Sequence, residues 1–166
     1  MMNDPITLAL LAVLAIILVV AAVIDVRTFT ISNTLNVTVA LLALAYWWSI
    51  DLPLWPDGAI RAGIALAVFA LLAVTFFIGM MGGGDVKLAS ALALWFAPGE
   101  TVRFLVYMSL LGGILTLVVM IAHRRWPDWQ VDDDGKPRTK PEVPYGVAIA
   151  AGALVVLAQR FLNHFA

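Results

Sequence analysis

The chain has 166 residues, of which 63% are hydrophobic and only 13% are charged, and its formal net charge is -1. A soluble domain carries about 25% charged residues, so a single soluble core could not bury this much apolar side chain. The near-neutral balance gives no indication of a nucleic-acid partner, and the absence of cysteine excludes disulfides, a catalytic thiol and cysteine-based metal centres.

Six apolar segments follow one another along the chain, and a helix needs about 20 mostly apolar residues to cross a bilayer. The segments are Ile6–Ile24, Leu35–Ile50, Ala62–Met81, Leu88–Ala97, Phe104–Ala122 and Tyr145–Leu162. The second and the fourth are short, and the sequence leaves open whether the fourth spans fully. This pattern predicts an all-α, polytopic transmembrane bundle of about six spans, forming a single domain over residues 1–166.

The Lys and Arg residues between the segments predict the orientation, because cytoplasmic loops retain positive charge. Seven lie in the first, third and fifth connections, whereas three lie on the opposite side, among them Arg160, which is expected to snorkel outward. We therefore expect both termini outside and a long cytoplasmic loop at about residues 123–144. The seven are Arg27, Lys87, Arg124, Arg125, Lys136, Arg138 and Lys140, and the other two are Arg61 and Arg103.

Two of the eleven acidic residues lie where a carboxylate is expensive and usually functional. Asp25 ends the first apolar segment, and Asp85 lies between the third and the fourth, on the same predicted side of the membrane. About 13 residues of helix from Asp85 to Pro98 would rise roughly 20 Å, less than the ~30 Å hydrocarbon core, so Asp85 is expected below the membrane surface. The other nine acids, Glu100 and Asp132–Asp134 among them, lie in turns, at a terminus or in the long loop, where water solvates them.

Three consecutive glycines, Gly82, Gly83 and Gly84, precede Asp85 and predict a break in the helix, since each costs about 1 kcal/mol relative to alanine. Non-helical backbone at membrane depth requires protein or a water-filled cavity around it. Two carboxylates that share a proton, one as base and one as acid, could hydrolyse an amide there without a metal ion or cofactor. Because Asp25 closes a helix and Asp85 opens one, helix dipoles favour the hypothesis that Asp85 is the ionised base.

These residues resemble those of the type IV prepilin peptidases, which are membrane aspartyl proteases with a G-x-G-D motif. The first aspartate of that family lies in a pattern like D-x-R…I-P-N, and here Ser32 stands at the usual proline. The matching stretches are Gly82-Gly83-Gly84-Asp85 with Val86-Lys87-Leu88, Asp25-Val26-Arg27 with Ile31-Ser32-Asn33, and Pro144-Tyr145-Gly146 at the start of the last segment.

The resemblance implies an aspartic-type endopeptidase of pilus assembly that cleaves the prepilin leader at the cytoplasmic face of a bacterial inner membrane, just before the hydrophobic N-terminal helix of the pilin. It implies Asp25 and Asp85 as the catalytic pair, with Gly82, Gly84 and Lys87 shaping the site. Prepilin and membrane lipid are the expected partners, and no metal ion or cofactor is expected. Larger members carry a cysteine-containing cytoplasmic segment and also methylate the new N-terminus. This chain resembles the short form that serves Flp/Tad-type pili, and no methyltransferase activity is expected.

Other interpretations stay open at this point. An ion-coupled small membrane transporter could use Asp25 and Asp85 as a proton relay, although the segments show no obvious internal symmetry. A non-enzymatic assembly subunit could use Asp85 for a helix–helix contact. Lys87 could stabilise the carboxylates or snorkel to lipid headgroups, and Asp132–Asp134 could attract a basic prepilin leader or form a solvated turn. The sequence does not indicate which prepilin is cleaved or the oligomeric state.

Overall fold

The computed structural model describes residues 5–126, 130–131 and 141–165, and these form a bundle of six α-helices. A π-helical turn at Leu54–Gly58 leads directly into the third helix. The predicted all-α helical bundle is therefore confirmed. The helices are α1 Pro5–Thr28, α2 Asn33–Ser49, α3 Ala59–Phe77, α4 Gly83–Ala93, α5 Pro98–Arg125 and α6 Tyr145–Phe165.

Four stretches of helix are long and apolar enough to cross a membrane, and they agree with the first, third, fifth and sixth apolar segments of the sequence. With 17 residues α2 is slightly shorter, and the 11 residues of α4 rise only about 16 Å, roughly half of the hydrocarbon core. Together these helices make the chain a membrane protein. The four stretches are Pro5–Thr28, Leu54–Phe77, Pro98–Arg125 and Tyr145–Leu162.

The short helix α4 lies inside the bundle, where it packs against α2, α3 and α6. Nearly all of its side chains are buried, including the continuous stretch 88–93. The longer helices surround it, with α1 against α2 and α6 and with α5 along α6. Because α4 is enclosed by protein, polar groups at its N-terminus need not face lipid.

The predicted helix break spans residues 78–82, so it includes Gly82 but not Gly83 or Gly84. Helix α3 ends at Phe77, and Gly79 adopts a positive φ of 74°, which glycine reaches without a side-chain clash. Gly82 is the N-cap of α4, and Gly83 and Gly84 already belong to its first turn. In this turn, Gly83 and Gly84 continue the helix, and glycine allows close approach to a neighbouring segment.

The prediction that Arg160 snorkels outward is wrong. Its guanidinium donates to both carboxylate oxygens of Glu100, to the hydroxyl of Tyr46 and to the carbonyl of Trp95. The side chains of Arg160 and Glu100 are only 10% and 16% exposed, so Glu100 is not solvated in a turn as expected. Glu100 also accepts the backbone N–H of Ala97 and so caps α5. This ion pair joins α2, α5, α6 and the turn that follows α4, at the end of α4 opposite to Asp85.

The long loop predicted at residues 123–144 lies mostly outside the described residues, and so do Asp132–Asp134. Helix α5 continues to Arg125, farther than the apolar segment did. At the other end of the loop, the side-chain amide of Gln130 makes two 2.9 Å hydrogen bonds with the backbone of Glu142. These bonds fix the stretch that leads into α6.

We expect Arg160→Met to lower the free energy of unfolding by about 3–5 kcal/mol, because it leaves the Glu100 carboxylate buried without its cation. Unfolding in mixed detergent–lipid micelles, followed by circular dichroism, measures this change. The matched control is Arg103→Met, the same substitution at an exposed position of α5, which should stay within about 0.5 kcal/mol of the unchanged protein. Equal losses in the two variants would contradict a stabilising role of the buried pair.

Candidate active site

Asp25 lies in the last turns of α1, and its side chain is only 1% exposed. Its Oδ2 accepts a 2.7 Å hydrogen bond from the backbone N–H of Gly146. This donor belongs to the first turn of α6, where backbone N–H groups have no acceptor within the helix. The N-terminus of α6 therefore holds the Asp25 carboxylate and offsets its negative charge.

Asp85 lies in the first turn of α4 and is 7% exposed. Its carboxylate accepts a hydrogen bond from the backbone of Gly82, the N-cap residue of the same helix. The other oxygen, Oδ1, is buried and has no hydrogen-bond partner within the described part of the chain. Because an unpaired buried carboxylate oxygen is costly, this atom is the one best suited to bind a further polar group.

The structure brings Asp25 and Asp85 to the same end of the bundle, where the charge on Asp25 acts on Asp85. Ile31, in the connection between α1 and α2, links their surroundings. A Cβ added to Gly146 would lie 2.7 Å from Ile31 Cδ1 and 2.8 Å from Asp25 Oδ2, and one added to Gly84 would lie 2.5 Å from the Ile31 carbonyl oxygen. Glycine at both positions therefore allows α4 and α6 to close on this connection.

Polar contacts between α2 and α4 fix the N-terminus of α4. The side-chain amide of Asn36 donates to the carbonyl of Gly84 at 3.0 Å. The Lys87 ammonium donates to Asn33 Oδ1 at 2.8 Å on the exposed surface, so Lys87 binds the N-terminus of α2. Ser32, at the position where proline was expected, caps α2 by accepting the N–H of Leu35.

An open cavity of about 710 Å³ lies beside Asp85. Its walls come from the α1–α2 connection, the α3–α4 connection and the stretch that precedes α6. A peptide that enters this cavity would reach Asp85 before Asp25, because Asp25 is almost fully buried. Residues that line the cavity include Thr28, Thr30, Met80, Gly82, Asp85, Glu142 and Tyr145.

The fold and the site define a class of protein, namely a polytopic helical membrane protein with two interacting buried carboxylates at one end of its bundle. Residues 12–117 match the model of the type IV leader peptidase family. This range is more than half of the chain and includes both Asp25 and Asp85, so the chain belongs to the type IV leader peptidase family and is a membrane peptidase at that level. No curated protein and no solved structure matches it.

Sequence reasoning did not identify the positioning roles of Ile31, Asn36 and Gly146. Gly146 was named only within the matching stretch at the start of the last segment, yet its N–H donates to a carboxylate 121 positions away. Asn36 gave a weak signal, as a buried amide within an otherwise apolar segment. Nothing in the sequence indicated Ile31 as a contact residue, because this role depends on two glycines that are distant from it along the chain.

We expect Gly84→Ala to lower the free energy of unfolding by about 1–3 kcal/mol relative to Gly83→Ala, because its Cβ meets the Ile31 backbone. At Gly83 the added Cβ would meet only the Phe76 ring at 3.3 Å, and this exposed side chain can move aside. Both changes remove a glycine from the same helical turn, so the backbone preference for alanine cancels in the difference. Thermal unfolding of the two variants measures it, and equal stabilities would argue against a tight contact at Ile31.

Proposed function

We propose that the chain is an aspartic-type endopeptidase that removes the leader of type IV prepilins at the cytoplasmic face of a bacterial inner membrane. We further propose that it is the short, Flp/Tad-type form without methyltransferase activity. The observation that carries this proposal is the pair Asp25 and Asp85, two buried carboxylates from α1 and α4 that interact beside an open cavity. The family match favours a peptidase over a transporter or a scaffold subunit.

The chemistry requires only the two carboxylates and a water. The ionised carboxylate takes a proton from the water while the water oxygen attacks the peptide carbonyl carbon. The protonated carboxyl group then gives its proton to the amide nitrogen as the C–N bond breaks, which releases the leader and a new amino terminus. A pair of carboxylates that shares one proton supplies both groups at once.

The contacts favour Asp25 as the ionised base and Asp85 as the protonated acid, the reverse of the assignment drawn from helix ends alone. The backbone N–H of Gly146 donates to Asp25 Oδ2 at 2.7 Å, which stabilises a charged carboxylate, whereas Asp85 Oδ1 has no hydrogen-bond partner within the described residues. The negative charge of Asp25 further disfavours ionisation of Asp85. The sequence could not indicate this, because the donor to Asp25 comes from the last helix of the chain.

We expect Asp25→Asn and Asp85→Asn each to lower prepilin cleavage by about 10²–10⁴-fold, because either change removes a proton-transfer group. Mass measurement of a co-expressed prepilin determines the fraction of leader removed. The matched control is Asp51→Asn, at an exposed residue whose positive φ of 50° asparagine also tolerates, and it should cleave normally. Full cleavage by either Asp25→Asn or Asp85→Asn would refute the two-carboxylate mechanism.

The assignment of base and acid is tested by the infrared C=O band of a protonated carboxyl group in the purified protein. We expect Asp85→Glu to shift this band, because Asp85 carries the shared proton, and Asp25→Glu to leave it in place. Each variant keeps two carboxyl groups, so the pair itself is preserved. A band that shifts in Asp25→Glu and not in Asp85→Glu would reverse the assignment. Because coupled carboxyl groups share their titration, both spectra must be recorded at one pH.

A further inference from the structure

A second cavity, of about 390 Å³, lies between α3 and α5, which barely contact each other because α3 packs on α4 and α5 packs along α6. We call it the α3–α5 groove. The hydroxyls of Thr75 and Thr116 in its walls donate to carbonyls of their own helices, so these side chains add no unpaired donor to an otherwise apolar surface. The walls are formed by Leu72, Thr75, Met108, Ser109, Gly113 and Thr116.

The α3–α5 groove adjoins the cavity beside Asp85. Met80, Met81 and Tyr145 line both of them, so the groove between two membrane-spanning helices lies next to the cavity that Asp85 lines. Along α5 the groove runs from Met108 to Thr116, a rise of about 12 Å, which is the length of roughly two helical turns.

The two adjacent glycines Gly112 and Gly113 of α5 differ in their surroundings. A Cβ on Gly112 would touch Ala148 and Tyr145 at 3.7 Å, so Gly112 packs against α6. A Cβ on Gly113 would meet nothing within 4 Å, because Gly113 faces the groove. The packing of this chain therefore does not require glycine at position 113, whereas small residues are what a second apolar helix needs for close approach.

We propose that the α3–α5 groove is the docking site for the apolar helix of the substrate that follows the scissile bond. This inference rests on the proposed function. The shared walls of the two cavities favour such a substrate over a lipid chain or a second copy of this protein. A polypeptide with an extended stretch before an apolar helix can fill both the cavity and the groove. Docking of the helix would then hold the scissile bond beside Asp85.

Filling the groove tests the proposal. Gly113→Leu places a side chain in the open space of the groove, and we expect it to raise the KM for a prepilin-like substrate about tenfold or more while thermal unfolding stays unchanged. The matched control is Gly63→Leu, on the exposed and opposite face of α3, where an added Cβ also meets nothing within 4 Å. If both leucine variants cleave as the unchanged enzyme does, the groove is not the docking site and the peptidase proposal stands.

Cross-linking measures whether the apolar helix of the substrate occupies the groove, independently of cleavage. The chain has no cysteine, so Ser109→Cys in the Asp85→Asn background gives one thiol in the groove, and Gly63→Cys in that background is the control. A prepilin with one cysteine in its apolar helix, reconstituted in lipid vesicles, should form a disulfide with Ser109→Cys and not with Gly63→Cys. Only enzyme–enzyme disulfides, or no disulfide with prepilin, would overturn the proposal. A prepilin cross-link without cleavage by the unchanged enzyme would support docking and refute the peptidase function.

Discussion

The close approach of α4 and α6 to the connection between α1 and α2 is the constraint on which the rest of the site depends. Gly84 and Gly146 permit it, because a Cβ at either position would lie within 3 Å of Ile31. This approach puts the first turn of α6 against Asp25 and the first turn of α4 beside it. With larger residues at these two positions, the helix N-termini could not hold two carboxylates so close together.

Two pairs of buried ionisable groups lie at the two ends of α4. At one end Glu100 and Arg160 neutralise each other, and the hydrogen bonds of Arg160 to Tyr46 and Trp95 join the surrounding helices. At the other end two carboxylates interact, and backbone groups of helix N-termini stabilise them in place of a cationic side chain. An ion pair of opposite charges holds helices together, whereas two carboxylates at one site favour a shared proton. Under the proposed function, the first end is structural and the second carries the chemistry.

Composition and apolar periodicity were enough to predict the helical membrane bundle, and the four longest segments were confirmed. The two aspartates could be singled out because a carboxylate at membrane depth is expensive. Features that arise only from folding could not be predicted. The Arg160–Glu100 pair joins residues 60 positions apart, so Arg160 was assigned to the surface. The hydrogen bond from Gly146 to Asp25 likewise joins distant helices, and the proposed assignment of Asp25 as the base rests on it.

The central claim is that α1 and α4 present Asp25 and Asp85 to one shared water at one end of the bundle. Because the chain has no cysteine, the double variant Asp25→Cys/Asp85→Cys measures this proximity directly in membranes, through a short bifunctional thiol reagent. The account predicts an efficient intramolecular link in this variant and none in Asp25→Cys/Ala93→Cys, where the second thiol lies at the far end of α4. A link that forms only in the second variant, or in neither, would contradict it.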